Sequence, residues 1–217
     1  MQYAMEALEE AFEEKSGIEI EVILGSSGKL TAQIQQGAPY DLFLSADNEY
    51  AITLSQNELT VGPPQVYARG QLVLWSLKEN LLVSIESLEE DEIEHIALAN
   101  PKTAPYGKAA DEVLKKLRSV DQLVPKLVYG ESISQVNQFI ATQAADIGFT
   151  SKSTVIANPR GNWITIPDSL YSPIEQYMVI IKNQRGMKYQ ADAFAAFLLS
   201  KEGQEILNKF GYKSISL

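Results

Sequence analysis

The chain has 217 residues, of which 45% are hydrophobic and 21% charged, a composition typical of globular proteins and unlike that of disordered ones. Its 28 acidic and 18 basic residues leave a net charge of -10, which repels a phosphate backbone and argues against a nucleic-acid partner. Because the sequence has no cysteine, it excludes disulfides, thiolate metal sites and cysteine nucleophiles.

The first quarter of the chain alternates helix and strand patterns. Apolar residues recur at helical spacing from Ala4 to Phe12, and residues 18–24 then alternate apolar and charged side chains, which predicts a strand. After Gly25-Ser26-Ser27-Gly28, a second helix is predicted to end at Gly37, before a strand at residues 40–44. The pattern predicts two successive units of helix followed by strand.

The same alternation continues to the end of the chain. Further strands are predicted at residues 71–75, 96–99, 127–129, 146–149 and 177–181. Helices are predicted at residues 108–117, around Val136 and in two segments near the end, with Gly211 as the last helix cap. This order predicts an α/β protein with mostly parallel sheets and ligand sites at strand-to-helix turns. Breaks at Gly62-Pro63-Pro64 and Ser172-Pro173 indicate that the chain crosses to a second lobe and returns.

Three other features bear on partners and location. For the acidic run at residues 86–94 we favour a solvated loop over a cation site. No apolar stretch approaches the ~18 residues of a membrane span. The first residues lack the basic and apolar regions of a signal peptide, as expected of a cytoplasmic, mature or shortened chain.

The Gly25-Ser26-Ser27-Gly28 turn is a candidate anion site. It lies between a predicted strand and a predicted helix, where backbone amides and the positive end of the helix dipole favour negative charge. The two serine hydroxyls add donors. The simpler interpretation is one serine that caps the helix, and the turn alone does not distinguish these alternatives.

Two further strand-to-helix turns could add donors to the same anion. At residues 100–107 two prolines stiffen the loop, Gly107 is small enough to let the backbone approach a ligand, and Tyr106 contributes an amide or a packing ring. Ile133 is a first-turn amide of the next helix, which Ser132 is placed to cap. Together these turns would form a cage of neutral donors, but the spacing alone leaves their convergence open.

Catalytic interpretations of the first turn are weaker. A phosphate-binding loop would need its first glycine where Ile23 stands, and a nucleophile elbow at Ser27 would need a triad histidine, whereas the one histidine is His95 in an acidic segment. Ser26 and Lys29 do match the serine-lysine signature of acyl enzymes, but the Ser-Asp-Asn element of those enzymes is missing. A serine-lysine acyl hydrolase therefore stays as an alternative function.

An ordered set of motifs is similar to the periplasmic molybdate/tungstate-binding proteins of ABC transporters, the ModA-like family. They include Gly-Ser-Ser-Gly-Lys-Leu at the first turn, Gly-Ala-Pro-Tyr-Asp-Leu-Phe-Leu-Ser-Ala-Asp after the second helix, and Ala-Asp-Ile-Gly-Phe late in the chain. The segments that carry the resemblance are residues 25–30, 33–34, 37–47, 100–107, 130–135, 145–149 and 211–212.

The resemblance implies a type II periplasmic-binding-protein fold, in which two α/β lobes are joined by a hinge and hold the ligand in a central cleft. It implies lobe I at residues 1–72 and 179–217 and lobe II at residues 73–178. It also implies that the oxyanion is bound by the hydroxyl and amide of Ser27 and by the amides of Tyr106 and Ile133, with Ser26 and Ser151 as secondary candidates. No cofactor and no metal coordinated by side chains is implied, because the molybdenum is bound as its oxyanion.

By the same resemblance we expect a non-enzymatic solute-binding protein at the periplasmic or extracellular face, which delivers its cargo to an ABC permease and its ATPase. An oxyanion-sensing domain of the same fold is the second alternative. Members of the family place a strand, and a turn with a further serine or asparagine ligand, before the helix that matches residues 3–12. Here Met1 is already at that helix, so either the sequence starts late or the site is weakened and one sheet edge is unpaired, which would invite pairing with another chain. We expect a monomer, with strand exchange as the alternative.

Overall fold

A computed structural model describes residues 2–25, 27–117, 120–182 and 186–215. The chain divides into two units, the first formed by Met1–Arg69 with Glu175–Leu217 and the second by Gly70–Ile174. The chain therefore passes between the units at two points, which lie three and four residues before the boundaries at 72 and 178 that the sequence suggested.

Helices and strands follow one another along the chain, with short 3-10 turns at Glu86–Glu89, Val124–Lys126 and Asp168–Leu170 between them. In chain order they are α1 (Gln2–Ser16), α2 (Ser27–Gln35), β1 (Leu42–Ser45), α3 (Asn48–Gln56), β2 (Thr60–Gly70), β3 (Leu72–Ser76), β4 (Ile96–Ala99), α4 (Pro105–Lys116), α5 (Val120–Leu123), β5 (Leu127–Gly130), α6 (Ile133–Ala141), β6 (Ile147–Ser151), α7 (Lys152–Ala157), β7 (Asn162–Thr165), β8 (Ile174–Ile181), α8 (Lys188–Leu199) and α9 (Lys201–Lys209).

The first unit has a three-stranded sheet in the order β1-β8-β2, covered by helices on both faces. β1 runs antiparallel to β8, with Leu42 opposite Ile180. Side chains alternate along β8, so that Met178 packs with α1, α8 and α9 whereas Val179 packs with α2 and α3. Phe12 and Phe194 meet edge to face, with ring centroids 5.1 Å apart, in the larger of the two clusters.

The prediction of a strand at residues 18–24 is wrong. Ile18, Ile20 and Val22 do pack against the α1-α8-α9 cluster, as the alternating pattern requires, but no ladder includes this segment within the described residues. Its amides are bonded locally instead, from Ile18 to the Ser16 hydroxyl at 3.1 Å and from Ile20 to the Glu13 carboxylate at 2.6 Å. The alternation reports the buried face correctly, but a strand also needs a neighbouring strand, which the segment itself does not provide.

β2 was not predicted, because Gly62-Pro63-Pro64 was interpreted as a break. In the structure both prolines lie inside the strand, which is possible because β2 is an edge strand in the order β1-β8-β2. An edge strand has one row of amides that needs no ladder partner, so the missing proline N–H groups are tolerated there.

The second unit has a five-stranded sheet in the order β5-β4-β6-β3-β7. β4 is parallel to β5 and β6, whereas β3 is antiparallel to β6 and β7. The expectation of mostly parallel sheets is therefore wrong: the sheet of the second unit is mixed, and the β1–β8 pair of the first unit is antiparallel. Every residue of β3 and β4 is buried, because α4 covers one face of the sheet and α6 with α7 covers the other.

Element ends differ from the predictions where local chemistry was missed. α4 begins at Pro105, three residues before its predicted start, because proline is well suited to the first helical position. α3, α7 and β7 are short and were not predicted. Among the described residues, no helix is long and apolar enough to cross a membrane.

Candidate functional site

The parallel strands of the second unit bring three of the predicted site residues to one sheet edge. Ala99 at the end of β4 pairs with Gly130 at the end of β5, and β6 runs parallel to β4 from Ile147. The carboxyl ends of these strands therefore lie together at one end of the sheet, which we call the sheet edge. Tyr106 and Ile133 lie there in the first turns of α4 and α6, and Ser151 lies there as the last residue of β6. Ligands of open α/β sheets bind at such edges.

The turn before α4 is held by backbone hydrogen bonds. The Asn100 amide donates to the Gly130 carbonyl at 2.8 Å, which ties the loop to the end of β5. The Asn100 carbonyl accepts from the amides of Thr103 and Ala104, and its side-chain oxygen accepts from the Lys102 amide at 3.0 Å. The loop that presents Tyr106 is therefore fixed by bonds on both sides of Pro101.

Gly107 is required by the packing of α4. A Cβ atom at this position would lie 2.2 Å from the Ala99 carbonyl oxygen, so the glycine is needed for close packing of α4 on the end of β4. The first turn of α4 is thereby held directly against the sheet edge. The predicted approach of the Gly107 backbone to a ligand stays a prediction.

The Tyr106 side chain is a packing group. It is 9% exposed and belongs to the core cluster of the second unit, so the ring is buried rather than half-buried. A Cβ atom at Gly70 would lie 2.2 Å from the Tyr106 hydroxyl oxygen, which shows how closely the ring end approaches the Gly70 backbone. Because the side chain is directed into the core, the group that Tyr106 can present to an anion is its amide.

The first turn of α6 is capped by its own side chains. Ser132 adopts the extended N-cap conformation, and its hydroxyl accepts from the Gln135 amide at 3.3 Å, as the sequence predicted. The Gln135 side-chain oxygen accepts in return from the Glu131 amide at 2.7 Å, in the manner of a capping box. Ile133 is the first helical residue, and its amide carries the positive end of the helix dipole.

Ser27 lies in the first unit, where it is the first residue of α2 and is half-buried. Its carbonyl accepts from the Thr31 hydroxyl at 2.8 Å, which fixes the first turn. A Cβ atom at the neighbouring Gly28 would lie 3.1 Å from the Tyr50 hydroxyl oxygen, so this turn packs against α3. Ser26 lies outside the described residues.

Ser151 belongs to a group of hydroxyl and amide side chains that the sequence analysis missed. It caps α7, and its hydroxyl oxygen lies within hydrogen-bond distance of Ser153 and Thr154, which connects through Asn137 to Thr150. The available signal was the run of hydroxyl residues from Thr150 to Thr154 directly after a predicted strand.

Asp146 and its partners lie away from this edge of the second unit. Asp146 precedes β6 at the opposite end of the strand, where its carboxylate binds Lys78 at 2.8 Å and accepts from the amides of Glu94 and His95. Burial acts to raise the pKa of Asp146, but the hydrogen bonds from Lys78, His95 and Glu94 outweigh it and lower the pKa. Among the described residues, no group of His, Asp and Glu side chains is arranged to hold a metal ion.

Two mixed α/β units linked by two chain crossings, with helix first turns at strand ends, define a periplasmic-binding-protein fold. The family model described as bacterial extracellular solute-binding protein matches residues 1–213. The chain belongs to that family.

The chain is similar to a relative and to solved structures whose names refer to molybdate or molybdenum. The chain is 40% identical over 202 residues to the molybdate-binding protein ModA of Rhodobacter capsulatus, covering 93% of this chain and 80% of the relative. A solved periplasmic molybdate-binding protein of Azotobacter vinelandii superposes with a TM-score of 0.87 at 32% identity, covering 99% of this chain and 96% of the other. The substrate-binding domain of a putative molybdenum ABC transporter from Clostridium difficile gives a TM-score of 0.83 at 31% identity, with 99% and 95% coverage. None of these three proteins is described as a hydrolase, so the serine-lysine alternative gains no support.

Proposed function

We propose that this protein binds molybdate or tungstate outside the cytoplasmic membrane and delivers it to an ABC permease and its ATPase, without chemical change to the anion. The observation that carries the proposal is the fold and sequence likeness to proteins named as molybdate-binding. The first turns of α4 and α6 at one sheet edge support it, because they supply amide donors where ligands of such sheets bind.

In this proposal Ser27 gives its hydroxyl and amide to the anion, and Tyr106 and Ile133 give their amides. Oriented N–H dipoles stabilise a dianion without a cationic side chain, which is compatible with a chain of net charge -10. Size selectivity follows from fixed donors: a smaller anion such as sulfate leaves donors unpaired, and each unpaired buried donor costs about 1 to 3 kcal/mol.

The direct test is thermal unfolding in the presence of molybdate, tungstate, sulfate or phosphate. A ligand at 100 times its Kd adds about 2.7 kcal/mol to the free energy of unfolding, which for a chain of this length raises Tm by roughly 5 to 10 °C. We expect that shift with molybdate or tungstate at concentrations where sulfate and phosphate have no effect. Equal shifts with all four anions, or none with any, would contradict the proposal.

Two variants separate binding from the serine-lysine alternative. Ser27→Ala removes a hydroxyl bond to a charged ligand, worth about 1.5 to 3 kcal/mol, and should weaken molybdate binding roughly 10- to 100-fold in isothermal titration. Lys29→Ala is the matched control two residues away, and it should leave the affinity within about twofold because the proposed site uses no cation. An acyl enzyme would show the opposite dependence, with activity on ester substrates abolished by Lys29→Ala.

A further inference from the structure

The two chain crossings lie beside each other in the first unit. The chain leaves this unit after Arg69, near the end of β2, and returns to it at Glu175, the second residue of β8. β2 and β8 are neighbours in the sheet order β1-β8-β2. Any change in the orientation of one unit against the other bends the chain at or next to these crossings, because they are the points at which the chain passes between the units.

An ion pair joins the last residue before the first crossing to the first residue after the second. The Arg69 guanidinium donates from Nη2 to the Glu175 oxygen Oε1 at 3.2 Å, and the Tyr177 hydroxyl donates to the other oxygen, Oε2, at 2.6 Å. Both carboxylate oxygens are therefore bound. Burial, the hydrogen bond to Glu175 and the Glu175 charge raise the pKa of Tyr177 to about 12, so its hydroxyl remains a donor at neutral pH.

Arg69 is also fixed through its backbone. Its amide donates to the Lys213 carbonyl at 3.0 Å and its carbonyl accepts from the Lys213 amide at 2.8 Å, which ties the end of β2 to the C-terminal segment. The Gln204 side chain links the same two segments, since it donates to the Tyr67 carbonyl at 2.8 Å and accepts from the Ile215 amide at 3.3 Å. The guanidinium group therefore extends from an anchored backbone, and its ion pair constrains the second crossing.

On the side of the second unit, the same crossings meet through close packing. A Cβ atom at Gly70 would lie 3.4 Å from the Ile174 Cγ2 atom and 2.2 Å from the Tyr106 hydroxyl oxygen. Gly70 has no side chain with which to hold Ile174, and glycine has more backbone freedom than any other residue. The ion pair thus joins the crossings directly beside the residue at which the chain bends most easily.

We propose that the Arg69–Glu175 ion pair fastens the two crossings to each other and thereby restricts the orientations that the two units adopt before the anion binds. A protein that is already held near its binding arrangement loses less conformational freedom on binding, so it binds more tightly. Arg69 and Glu175 are positioning residues, since they act through the units that carry the anion donors. The effect on affinity rests on the proposed function, whereas the effect on the orientations does not.

Charge reversal separates this role from general electrostatics. Arg69→Glu removes one positive and adds one negative charge, which changes the net charge from -10 to -12, and the reverse exchange in Glu175→Arg changes it from -10 to -8. Long-range repulsion alone predicts that the first variant binds molybdate more weakly and the second more tightly. We expect both to bind it more weakly, roughly 3- to 10-fold in isothermal titration, because each replaces attraction between the crossings by repulsion.

The double variant Arg69→Glu/Glu175→Arg restores both the ion pair and the net charge, so its Kd should return to within about twofold of wild type. Lys15→Glu is the matched control, because it reverses one partner of an exposed ion pair with Glu202 in the same unit and also gives a net charge of -12, two below -10. Its Kd should stay within about twofold of wild type.

Salt distinguishes the ion pair from a loss of local packing. The difference in Kd between Arg69→Glu and wild type should become smaller in about 1 M sodium chloride, where the Debye length is about 3 Å. A packing defect would lower the free energy of unfolding but would not respond to salt in this way.

The orientations themselves are measured by double electron–electron resonance between two spin labels, one in each unit. Because the chain has no cysteine, Lys209→Cys in α9 and Gln138→Cys in α6 place unique labels on exposed helix positions. Without molybdate, the distance distribution should be broader in Arg69→Glu than in wild type. The double variant Arg69→Glu/Glu175→Arg should narrow it again.

The outcomes distinguish this inference from the proposed function. If the wild type binds molybdate but the charge-reversed variants match it in Kd and in the width of the distance distribution, the inference is wrong and the proposed function stands. If Glu175→Arg binds molybdate more tightly than wild type, the ion pair does not favour the binding arrangement and the inference is again wrong. If no oxyanion binds to the wild type, the proposed function is wrong, and the distance distributions still decide whether the ion pair restricts the two units.

Discussion

At the scale of single residues, Gly70 lies directly against the ring end of Tyr106, near the candidate site. The ring end of Tyr106 occupies the space that any side chain at position 70 would need. We expect Gly70→Ala to lower the free energy of unfolding by about 1 to 3 kcal/mol, as overpacking does. It should also weaken molybdate binding, because displacement of the ring moves the Tyr106 amide.

The check is urea unfolding and isothermal titration of Gly70→Ala beside the double variant Gly70→Ala/Tyr106→Phe. Removal of the hydroxyl oxygen relieves the 2.2 Å contact but leaves a ring carbon 2.9 Å from the new methyl group, so part of the stability should return. A double variant that is no more stable than Gly70→Ala would show that the hydroxyl contact is not the source of the loss.

Asp146 gives the second residue-scale prediction, which concerns pH. Its pKa is lowered in the folded protein, so its bonds to Lys78, His95 and Glu94 contribute stability above the unfolded pKa of ~3.9, and this stability is lost as pH falls through the folded value. Asp146→Asn should therefore lower the free energy of unfolding by about 1 to 2 kcal/mol at neutral pH. The difference from wild type should shrink as pH falls below about 4.

The measurement is urea unfolding of wild type and Asp146→Asn at about pH 7, 4 and 2. Lys78→Met is the comparison variant, since it leaves the two amide bonds to Asp146 in place but removes the ion pair and the Lys78 bond to the Glu92 carbonyl at 2.8 Å. Its loss should depend less on pH, because the bond to Glu92 does not involve the Asp146 charge. A loss that is equal at all three pH values would assign the role of Asp146 to packing rather than to charge.

At the scale of elements, the first turn of α6 affects both the stability of the protein and its proposed binding of the anion. Ser132→Ala removes the cap and should cost about 1 kcal/mol of stability. Ser132→Asp keeps a capping oxygen and adds a charge that favours the helix dipole, so stability should be retained. The same charge lies one residue from the Ile133 amide and should repel the anion.

Ser132→Ala should therefore be less stable than wild type, whereas Ser132→Asp should be as stable as wild type. Ser132→Asp should bind molybdate more weakly than wild type by roughly 10-fold or more. Chemical unfolding without ligand gives the first quantity and isothermal titration gives the second. If Ser132→Asp binds molybdate as tightly as wild type, the first turn of α6 is not part of the anion site.

Elements with a local signature were predictable. β4 and the Ser132 cap match their predictions, because a short buried apolar run and a serine before a helical pattern are sufficient signals. Residues 18–24 and β2 were not predicted correctly, since pairing depends on a distant strand and since proline at a sheet edge is indistinguishable from proline in a loop. Local pattern thus fixes the buried face of a segment but not its ladder partner.

The candidate site was predicted only in part, because local pattern does not show which distant elements pack together. Ser27, Tyr106 and Ile133 could be named because family motifs mark the starts of α2, α4 and α6, and their binding roles stay predictions. The hydrogen-bond chain from Asn137 to Ser151 was missed, because it joins α6 to β6 and α7 and becomes visible only when those elements pack together.

At the scale of the whole molecule, the net charge and the proposed ligand have the same sign. A chain of charge -10 repels a dianion at long range, whereas the oriented amides at a helix start attract it at short range. Salt screens the first effect far more than the second, because the Debye length falls from ~30 Å at 0.01 M to ~8 Å at 0.15 M ionic strength. Association and dissociation should therefore respond differently to salt.

We expect the association rate constant for molybdate to rise when salt increases from about 0.01 to 0.15 M, and the dissociation rate constant to change little. Stopped-flow measurement with an inert salt provides both values. The exposed acidic segment supplies a matched variant: Glu90→Gln, Asp91→Asn and Glu92→Gln together change the net charge from -10 to -7, by removal of three charges. That variant should associate faster at low salt and depend less steeply on salt. An association rate that falls with salt in both proteins would mean that a local positive field steers the anion, and the neutral amides of Ser27, Tyr106 and Ile133 could then not be the sole source of attraction.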